Sequence, residues 1–271
     1  MSEKHRDIGK VILAGAGPGD PELITLKTLR YLQSADVILT DRLVSPELLN
    51  CYANPRAELV YVGKQCRNGR STPQASINEL MVEHANAGKL VLRLKGGDVS
   101  IFSNILDELE ALKSNGIPFE VIPGVTAALG ASAYAGIPLT ARGWSTAVRF
   151  LTYYRSDVVT DEYWEELART NDTLVFYMSA ETIHGVVEHL IRHGIKNDRR
   201  IAVIGQATTP EQHVFTGTLE DFSQSGPTGY ISPTIVIIGK VVALHQEFGW
   251  VMNKEVPQEY FTTTRTEIKI D

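Results

Sequence analysis

Two glycines and an aspartate follow an apolar, β-prone run, and at this point the chain is suited to hold a small molecule. The run and its end read VLRLKGGD over residues 91–98. Such a run is typical of a buried parallel strand, and open α/β sheets bind ligands just outside the carboxyl ends of their strands. Because glycine lacks a Cβ atom, backbone N–H groups can come close to a ligand there. Gly96, Gly97 and Asp98 therefore predict the floor of a ligand site, with an ordinary turn after a strand as the alternative.

A second glycine-rich loop, GAGPG at residues 15–19, follows the first apolar run of the chain. Together with Asp41 after the next apolar run, it suggests a dinucleotide site, in which glycines cradle a pyrophosphate and an acid binds the ribose. The spacing is G-x-G-x-G, however, and Pro18 and Pro21 remove backbone donors that a pyrophosphate needs. These two differences argue against a nicotinamide nucleotide.

The composition is that of an ordinary globular enzyme. The chain has 271 residues, 43% of them hydrophobic, which is enough for one large or two ordinary domains. A formal net charge of -6 argues against a nucleic-acid binder or a basic membrane-surface protein. The polar N-terminus does not resemble a signal peptide, and no apolar run approaches the roughly 20 residues that cross a bilayer.

The cysteines and histidines indicate neither a disulfide framework nor a metal site. Cys51 and Cys66 have no metal-ligand spacing and are too few for a disulfide framework, so a cytoplasmic location is predicted. The histidines lie on helical patterns without a metal constellation. We therefore predict that the protein binds no metal.

The first half alternates strand and helix patterns, as a parallel sheet with helices on its faces does. Strands are predicted at residues 10–14, 37–40, 58–62, 91–95 and 119–122. The helix after the first strand is predicted to bury Leu23, Leu26, Leu29 and Leu32 on one face. A helix of small residues is predicted at 126–133, before the pattern breaks at 136–140.

The second half is predicted to form its own sheet. Its strands are predicted at residues 148–152, 173–178, 201–204, 212–219 and 234–239. Residues after 252 are polar and are predicted to form a tail. The predicted fold is therefore α/β with two domains, 1–142 and 143–251, each a mainly parallel or mixed sheet flanked by helices, followed by a tail at 252–271.

Several motifs, in a fixed order along most of the chain, resemble those of the tetrapyrrole methylase family, and within it the uroporphyrinogen-III C-methyltransferases. The matching segments are AGAGPGDP at 14–21, DRLV at 41–44, VGK at 62–64, LKGGD at 94–98, IPGVTA at 122–127, GIPLT at 136–140, FYM at 176–178 and TTPEQ at 208–212. The resemblance implies two α/β domains with S-adenosyl-L-methionine held in the trough between them, usually in a homodimer. It implies two methyl transfers to uroporphyrinogen III, which give precorrin-2 for sirohaem or cobalamin biosynthesis, with S-adenosyl-L-homocysteine as the other product.

The resemblance also assigns roles to single residues. Asp41 matches the proposed proton acceptor of the family, and Lys64 matches its proposed proton donor. The positions that match the donor site are Pro18, Gly96, Gly97, Asp98, Ile101, Thr126, Ala127, Met178 and Ala207. Without the resemblance, Asp98 could equally be a helix cap, Met178 a core residue and Lys64 a solvated loop charge.

Uroporphyrinogen III, the substrate that the resemblance implies, carries a carboxylate on each substituent of its ring, so basic loop residues are expected. Arginine suits carboxylates because its guanidinium can donate to both oxygens. Arg42, Arg142 and Arg149 are the predicted substrate-binding residues. The wider set of cations expected at or near loop edges is Arg42, Lys64, Arg67, Arg70, Arg93, Lys95, Arg142, Arg149 and Arg155.

The sequence departs from the family pattern next to the Gly-Gly-Asp motif. Relatives usually continue with a Gly-Arg-Gly-Gly segment, whereas this chain reads VSIFSNILD at 99–107. Ala207 stands where many relatives have glycine, and Ala141 where they often have histidine. Two alternatives therefore remain open: methylation of a later precorrin, and a module that binds S-adenosylmethionine without catalysis and serves a regulatory role.

Overall fold

The computed structural model describes residues 8–62, 73–153, 159–254 and 257–261. Contacts divide these residues into two compact units. The first contains the described residues up to Thr126 together with Phe261, and the second contains Ala127–Tyr260. The sequence pattern placed the domain boundary after residue 142, where the strand-helix alternation breaks, whereas the contacts divide the chain at the start of the small-residue helix.

The first unit is built on a five-stranded parallel sheet with strand order β3-β2-β4-β1-β5. Its strands are β1 (Lys10–Gly15), β2 (Val37–Thr40), β3 (Glu58–Tyr61), β4 (Leu90–Lys95) and β5 (Phe119–Ile122). Its helices are α1 (Leu26–Leu32), α2 (Pro46–Tyr52), α3 (Gln74–Asn86) and α4 (Ile105–Ser114). In a parallel sheet all the carboxyl ends lie at one edge, so the loops after β1, β2, β4 and β5 share that edge.

The helices cover both faces of this sheet. Leu32 of α1 and Leu48 of α2 pack with one face of the strands, while Met81 of α3 and Leu112 of α4 pack with the other. Both faces of β4 are therefore buried. This arrangement explains why β4 reads as a nearly continuous apolar run.

The first helix differs from its prediction. Leu26 is 79% exposed, so the expected apolar face that includes this residue is wrong. The Thr25 hydroxyl caps a new helix by accepting a hydrogen bond from the N–H of Thr28, and Pro21–Leu23 form a separate short 3-10 helix. Leu23 and Leu26 therefore belong to two separate helices, and the two leucines do not share one helix face.

The second unit contains a mixed sheet with strand order β6-β7-β10-β8-β9. Its strands are β6 (Val148–Thr152), β7 (Thr173–Tyr177), β8 (Arg200–Gly205), β9 (His213–Thr218) and β10 (Thr234–Gly239). Its helices are α5 (Ala127–Tyr134), α6 (Asp161–Arg169), α7 (Ile183–Arg192), α8 (Leu219–Ser225) and α9 (His245–Phe248). β10 pairs antiparallel with both β7 and β8, so β7 and β8 run in the same direction and end at the same edge.

Trp164, Phe176 and Phe222 are the largest fully buried side chains of this unit, and they join α6, β7 and α8 in one core. Part of the predicted tail packs against the same unit. The side-chain amide of Asn253 exchanges two hydrogen bonds with the backbone of Val214, at 2.7 and 2.8 Å. Asn253 therefore holds the described start of this segment to the edge strand β9.

The predicted α/β class is confirmed, with a parallel first sheet and a mixed second sheet, both flanked by helices. Of the helices in the described ranges, none has the length and apolar character needed to cross a bilayer.

Candidate functional site

The loops that leave β1, β4 and β5 are packed backbone to backbone at the carboxyl edge of the first sheet. Gly17 and Gly97 form a β-bridge, in which the Gly97 N–H donates to Gly17 O at 2.7 Å. A Cβ atom at Gly124 would lie 2.3 Å from Gly97 O, and one at Gly15 would lie 2.5 Å from the same oxygen. Since Cβ atoms do not approach that closely, these three loops can meet only as glycines.

Asp98 holds this glycine cradle, formed by Gly15, Gly97 and Gly124, in place. Its Oδ2 accepts a hydrogen bond from the N–H of Gly124 at 2.8 Å, and its Oδ1 accepts one from the N–H of Ser100 at 2.7 Å. The first bond joins the loop after β4 to the loop after β5. A half-buried carboxylate that accepts backbone bonds on both oxygens fixes loop positions, and each oxygen keeps capacity for a further donor.

The other predicted donor-binding residues of the first unit lie in these same loops. Pro18 is buried in the loop after β1, Ile101 is half-buried in the loop after β4, and Thr126 is buried after β5. Gly96 also needs its lack of a side chain, because a Cβ atom there would lie 2.9 Å from Leu43 O. The structure therefore brings the first-unit members of the predicted set to one edge of one sheet.

Five non-glycine residues in the described ranges adopt left-handed backbone conformations: Phe102, Asn104, Met178, Gln206 and Thr208, with φ from 47° to 67°. Such conformations cost energy for residues with a side chain and cluster at functional sites. The first two lie in the loop after β4, and the other three follow β7 and β8. All five therefore lie in loops that contain or adjoin predicted donor positions.

In the second unit, Ala127, Met178 and Ala207 also lie at a single edge. The hydroxyl of Tyr177, the last residue of β7, accepts a hydrogen bond from the N–H of Ala128 at 3.1 Å, which joins the first turn of α5 to the end of β7. Met178 follows with 59% of its surface exposed, and Ala207 is buried after β8. An exposed apolar side chain on a strained backbone is suited to contact a ligand.

Asp41 follows β2 at the carboxyl edge of the first sheet, with β4 as the neighbouring strand. Its Oδ1 accepts a hydrogen bond from the N–H of Leu43 at 3.0 Å, which orients the carboxylate. Arg42 is half-buried beside it. Lys64, the predicted proton donor, lies outside the described residues, as do Arg67, Arg70 and Arg155.

Two of the predicted loop-edge cations are buried strand residues instead. Arg93 and Lys95 are only 4% and 5% exposed, and both form ion pairs with the buried carboxylate of Glu108 in α4, at 3.0 and 2.8 Å. The Arg93 guanidinium also donates to Leu39 O at 3.3 Å. The motif comparison missed this cluster, although the alternation of Arg93 and Lys95 within an apolar strand puts two cations on one buried face.

The two predicted substrate arginines of the second unit differ in their surroundings. Arg142 is exposed in the turn closed by the bridge between Ala141 and Ser145. Arg149 lies near the amino end of β6, the opposite edge of the sheet from Met178, because β6 and β7 are parallel. Its guanidinium forms ion pairs with Glu166 at 2.5 Å and Asp172 at 2.6 Å, which raise its pKa. These contacts do not favour a substrate role for Arg149, which stays a prediction.

The carboxyl edge of the first sheet is better suited to a neutral or zwitterionic organic ligand than to a pyrophosphate. It offers a close-packed glycine cradle and a carboxylate, Asp98, that can accept from hydroxyl or ammonium groups. Pro18 gives it no backbone donor. Asp98 can therefore accept hydrogen bonds from the ammonium group or the ribose hydroxyls of S-adenosyl-L-methionine, while the closely packed glycines hold the three loops at this edge.

Comparison with known proteins agrees with this chemistry. The sequence model of the family Tetrapyrrole (Corrin/Porphyrin) Methylases matches residues 10–223. A siroheme synthase of Acinetobacter baylyi is 48% identical over 244 residues, which are 90% of this chain and 53% of that protein. A siroheme synthase of Pseudomonas aeruginosa is 47% identical over 247 residues, again 53% of its length. The chain thus spans about half the length of the curated relatives it matches.

Solved structures match over nearly their whole length. A uroporphyrin-III-C-methyltransferase from Thermus thermophilus has a TM-score of 0.74 and 37% identity, and the match covers 90% of this chain and 98% of that chain. The same kind of enzyme from that organism, complexed with S-adenyl homocysteine, has a TM-score of 0.73 and 34% identity over 93% of this chain and 99% of that chain. A cobalt precorrin-4 methyltransferase has a TM-score of 0.76 and 29% identity over 86% of this chain and 95% of that chain.

Proposed function

The chain belongs to the tetrapyrrole (corrin/porphyrin) methylases, and from that premise we propose that it is a C-methyltransferase that converts uroporphyrinogen III to precorrin-2 by two methyl transfers. The methyl donor is S-adenosyl-L-methionine, as in the family. The observation that carries the proposal is the glycine cradle tied by Asp98, at the sheet edge where the donor motifs lie. Sirohaem or cobalamin biosynthesis would use the product. A homodimer is proposed from the family resemblance, and a cytoplasmic location from the low number and the spacing of the cysteines.

S-adenosyl-L-methionine, when bound, supplies a methyl group on a sulfonium centre that needs no further activation. The proposed task of the protein is to orient the two reactants and to take up a proton, and orientation alone can supply much of the rate. The proposed donor-binding residues are Pro18, Gly96, Gly97, Asp98, Ile101, Thr126, Ala127, Met178 and Ala207. Among them, Asp98 fixes the loops, and Met178 offers an exposed thioether for apolar contact.

Asp41 is proposed as the acceptor of the proton that the macrocycle loses on methylation. Its carboxylate is oriented by the N–H of Leu43 and lies at the same sheet edge as the cradle. Arg42, directly after it, and Arg142 are proposed to bind substrate carboxylates. Lys64 keeps its proposed role as proton donor on the family resemblance alone.

One assay tests the proposed reaction. The protein is incubated without oxygen with uroporphyrinogen III and S-adenosyl-L-methionine, and mass spectrometry counts the methyl groups gained by each macrocycle. The expected product carries two, and Asp41→Asn should lower the rate by about 100-fold or more, as removal of a general base does. Asp36→Asn is the matched control, since Asp36 is exposed at the other end of β2 and its carboxylate accepts only the N–H of Leu90 among the bonds described. Binding of S-adenosyl-L-homocysteine without any turnover would contradict the proposal and favour the non-catalytic module.

A second candidate substrate is a later precorrin. It is favoured by the likeness to the cobalt precorrin-4 methyltransferase and by the changed segment at 99–107, next to the donor motif. The same assay with a methylated precorrin as substrate separates the two candidates. Turnover of that substrate alone would replace uroporphyrinogen III in the proposal.

A further inference from the structure

The buried charges of the first unit do not cancel within their own cluster. Arg93, Lys95 and Glu108 are almost fully excluded from solvent, and both cations bind the one carboxylate. Two positive charges and one negative charge leave the cluster with an excess of one positive charge when all three are ionised. An uncompensated buried charge is costly, so an anion close by is needed to offset it.

Strand register identifies Asp41 as that anion. β2 and β4 are parallel neighbours, with Leu39 opposite Arg93 and Thr40 opposite Leu94. Asp41 follows directly after the end of β2, and the same register continued by one residue places it opposite Lys95. Because side chains alternate along a strand, Asp41 follows Leu39 on the sheet face where Arg93 and Lys95 also lie.

The electrostatics of Lys95 agree with this placement. Burial lowers the pKa of the Lys95 ammonium, Glu108 opposes that effect, Arg93 adds to it, and Asp41 opposes it. The ammonium therefore interacts with the Asp41 carboxylate as well as with its ion-pair partner. Glu108, on α4, holds the Lys95 side chain by accepting a hydrogen bond from its ammonium at 2.8 Å.

We propose that Lys95 is a positioning residue for the methyl-transfer reaction, which holds and electrostatically supports the Asp41 carboxylate while Glu108 and Arg93 hold Lys95 in place. This inference rests on the proposed function. The proton released by the macrocycle passes to the Asp41 carboxylate, and no bond is made or broken at Lys95. Lys95 acts through Asp41 and does not contact the reacting atoms.

The test is a double-mutant cycle between Lys95→Met and Asp41→Asn, with methyl transfer to uroporphyrinogen III as the readout. Lys95→Met alone is expected to lower kcat by about 10- to 100-fold, the range that loss of a supporting partner of a functional residue typically costs. In the Asp41→Asn background it should change kcat less than about twofold, because the residue through which it acts is gone. KM and the affinity for S-adenosyl-L-homocysteine should stay within about twofold of wild type.

Stability separates positioning from a structural role. Lys95→Met leaves Arg93 and Glu108 as a neutral pair, so the variant should melt at or above the wild-type temperature while it loses activity. Lys95→Gln, which can keep a hydrogen bond to Glu108 without the charge, should lose activity in the same way and serves if the methionine variant misfolds. Lys89→Met is the matched control, because Lys89 precedes the same strand at its other end, where its ammonium pairs with Glu58 at 3.0 Å and lies 3.2 Å from His84 Nδ1. It should keep wild-type kcat.

Two results overturn the inference alone, when the wild-type protein does methylate uroporphyrinogen III. In the first, the effects of Lys95→Met and Asp41→Asn on kcat multiply in the double variant. In the second, both Lys95 variants lose kcat together with a lower melting temperature and weaker binding of S-adenosyl-L-homocysteine. A wild-type protein that binds S-adenosyl-L-homocysteine and methylates no tetrapyrrole overturns the proposed function, and the role of Lys95 with it.

Discussion

A single added methyl group at Gly124 should disrupt the proposed donor site. In Gly124→Ala the new Cβ atom would lie 2.3 Å from Gly97 O and 2.9 Å from Gly15 Cα. Ordinary contacts begin at about 3.4 Å, so one of these backbone segments has to move by about 1 Å. Since the neighbours are backbone atoms of two other loops, no side-chain rotation can relieve the contact.

The size of the effect follows from the cost of overpacking, about 1–3 kcal/mol. If the loop after β5 moves to relieve the contact, it also pulls the N–H of Gly124 away from Asp98, to which it donates at 2.8 Å. Donor binding then has to restore the cradle, and the same 1–3 kcal/mol appears as weaker binding. The affinity for S-adenosyl-L-homocysteine should therefore fall by about 5- to 150-fold.

Isothermal titration calorimetry with S-adenosyl-L-homocysteine measures this directly, and urea unfolding reports the accompanying loss of stability. Gly185→Ala is the matched control. A Cβ atom there would lie 3.9 Å from the nearest ring atom of Tyr153. Gly185 is the third residue of α7, where alanine favours the helix over glycine by up to about 1 kcal/mol. This variant should bind like the wild type and unfold at higher urea. Wild-type affinity in Gly124→Ala would refute the assignment of the cradle to the donor.

Three further predictions concern other parts of the chain. The carboxylate of Glu120 has its pKa lowered to about 2, first by its hydrogen bond with Lys10. The stabilisation by the ionised carboxylate is therefore complete above the ordinary pKa of 4.5 and is lost as the pH falls toward 2. In Glu120→Gln, the free energy of unfolding measured with urea should fall less steeply with decreasing pH in this range than in the wild type. Met178→Gly should raise the free energy of unfolding by up to about 1 kcal/mol, since it relieves a φ of 55°, and should still weaken S-adenosyl-L-homocysteine binding; unchanged calorimetric affinity would count against a donor contact there. Arg142→Ala should raise the KM for uroporphyrinogen III about tenfold, because one charge-assisted contact is lost, whereas Arg149→Ala should leave this KM unchanged. If steady-state kinetics show a raised KM in Arg149→Ala and an unchanged KM in Arg142→Ala, the two roles are exchanged.

The sequence predicts the strands of this protein better than their order. Apolar runs bounded by turn residues identify all ten strands of the described ranges. The runs are most continuous where both faces of the strand are buried, as in β4 and β10. The position of β10 between β7 and β8 has no local signature, since it depends on a pairing between segments far apart in the chain. The exposure of Leu26 was also missed, because the capping hydroxyl of Thr25 fixes where the helix begins and leucine spacing alone does not.

The site was predicted from its loops, and its buried support was not. Glycine loops at strand ends have a recognisable composition, so the sequence identifies Gly97 and the loops that contain Gly15 and Gly124, but not the packing of these two glycines against Gly97 O. Arg93 and Lys95 were taken for loop-edge cations because their partner, Glu108, is on the following helix and becomes a neighbour only when α4 packs on the sheet. Two cations two residues apart in an apolar strand nevertheless require a buried anion, and that requirement is visible in the sequence.

The segment after Asp98 separates donor binding from substrate choice. Phe102 and Asn104 hold left-handed conformations, with φ of 52° and 53°, in the loop after β4. Such conformations cost about 1–3 kcal/mol for each residue that carries a side chain. The side chain of Phe102 is 41% exposed there, close to the Gly-Gly-Asp motif in the chain. Gly97 and Asp98 lie before this loop, so we expect the changed segment to affect which tetrapyrrole is accepted, while donor binding by the Gly-Gly-Asp backbone stays intact.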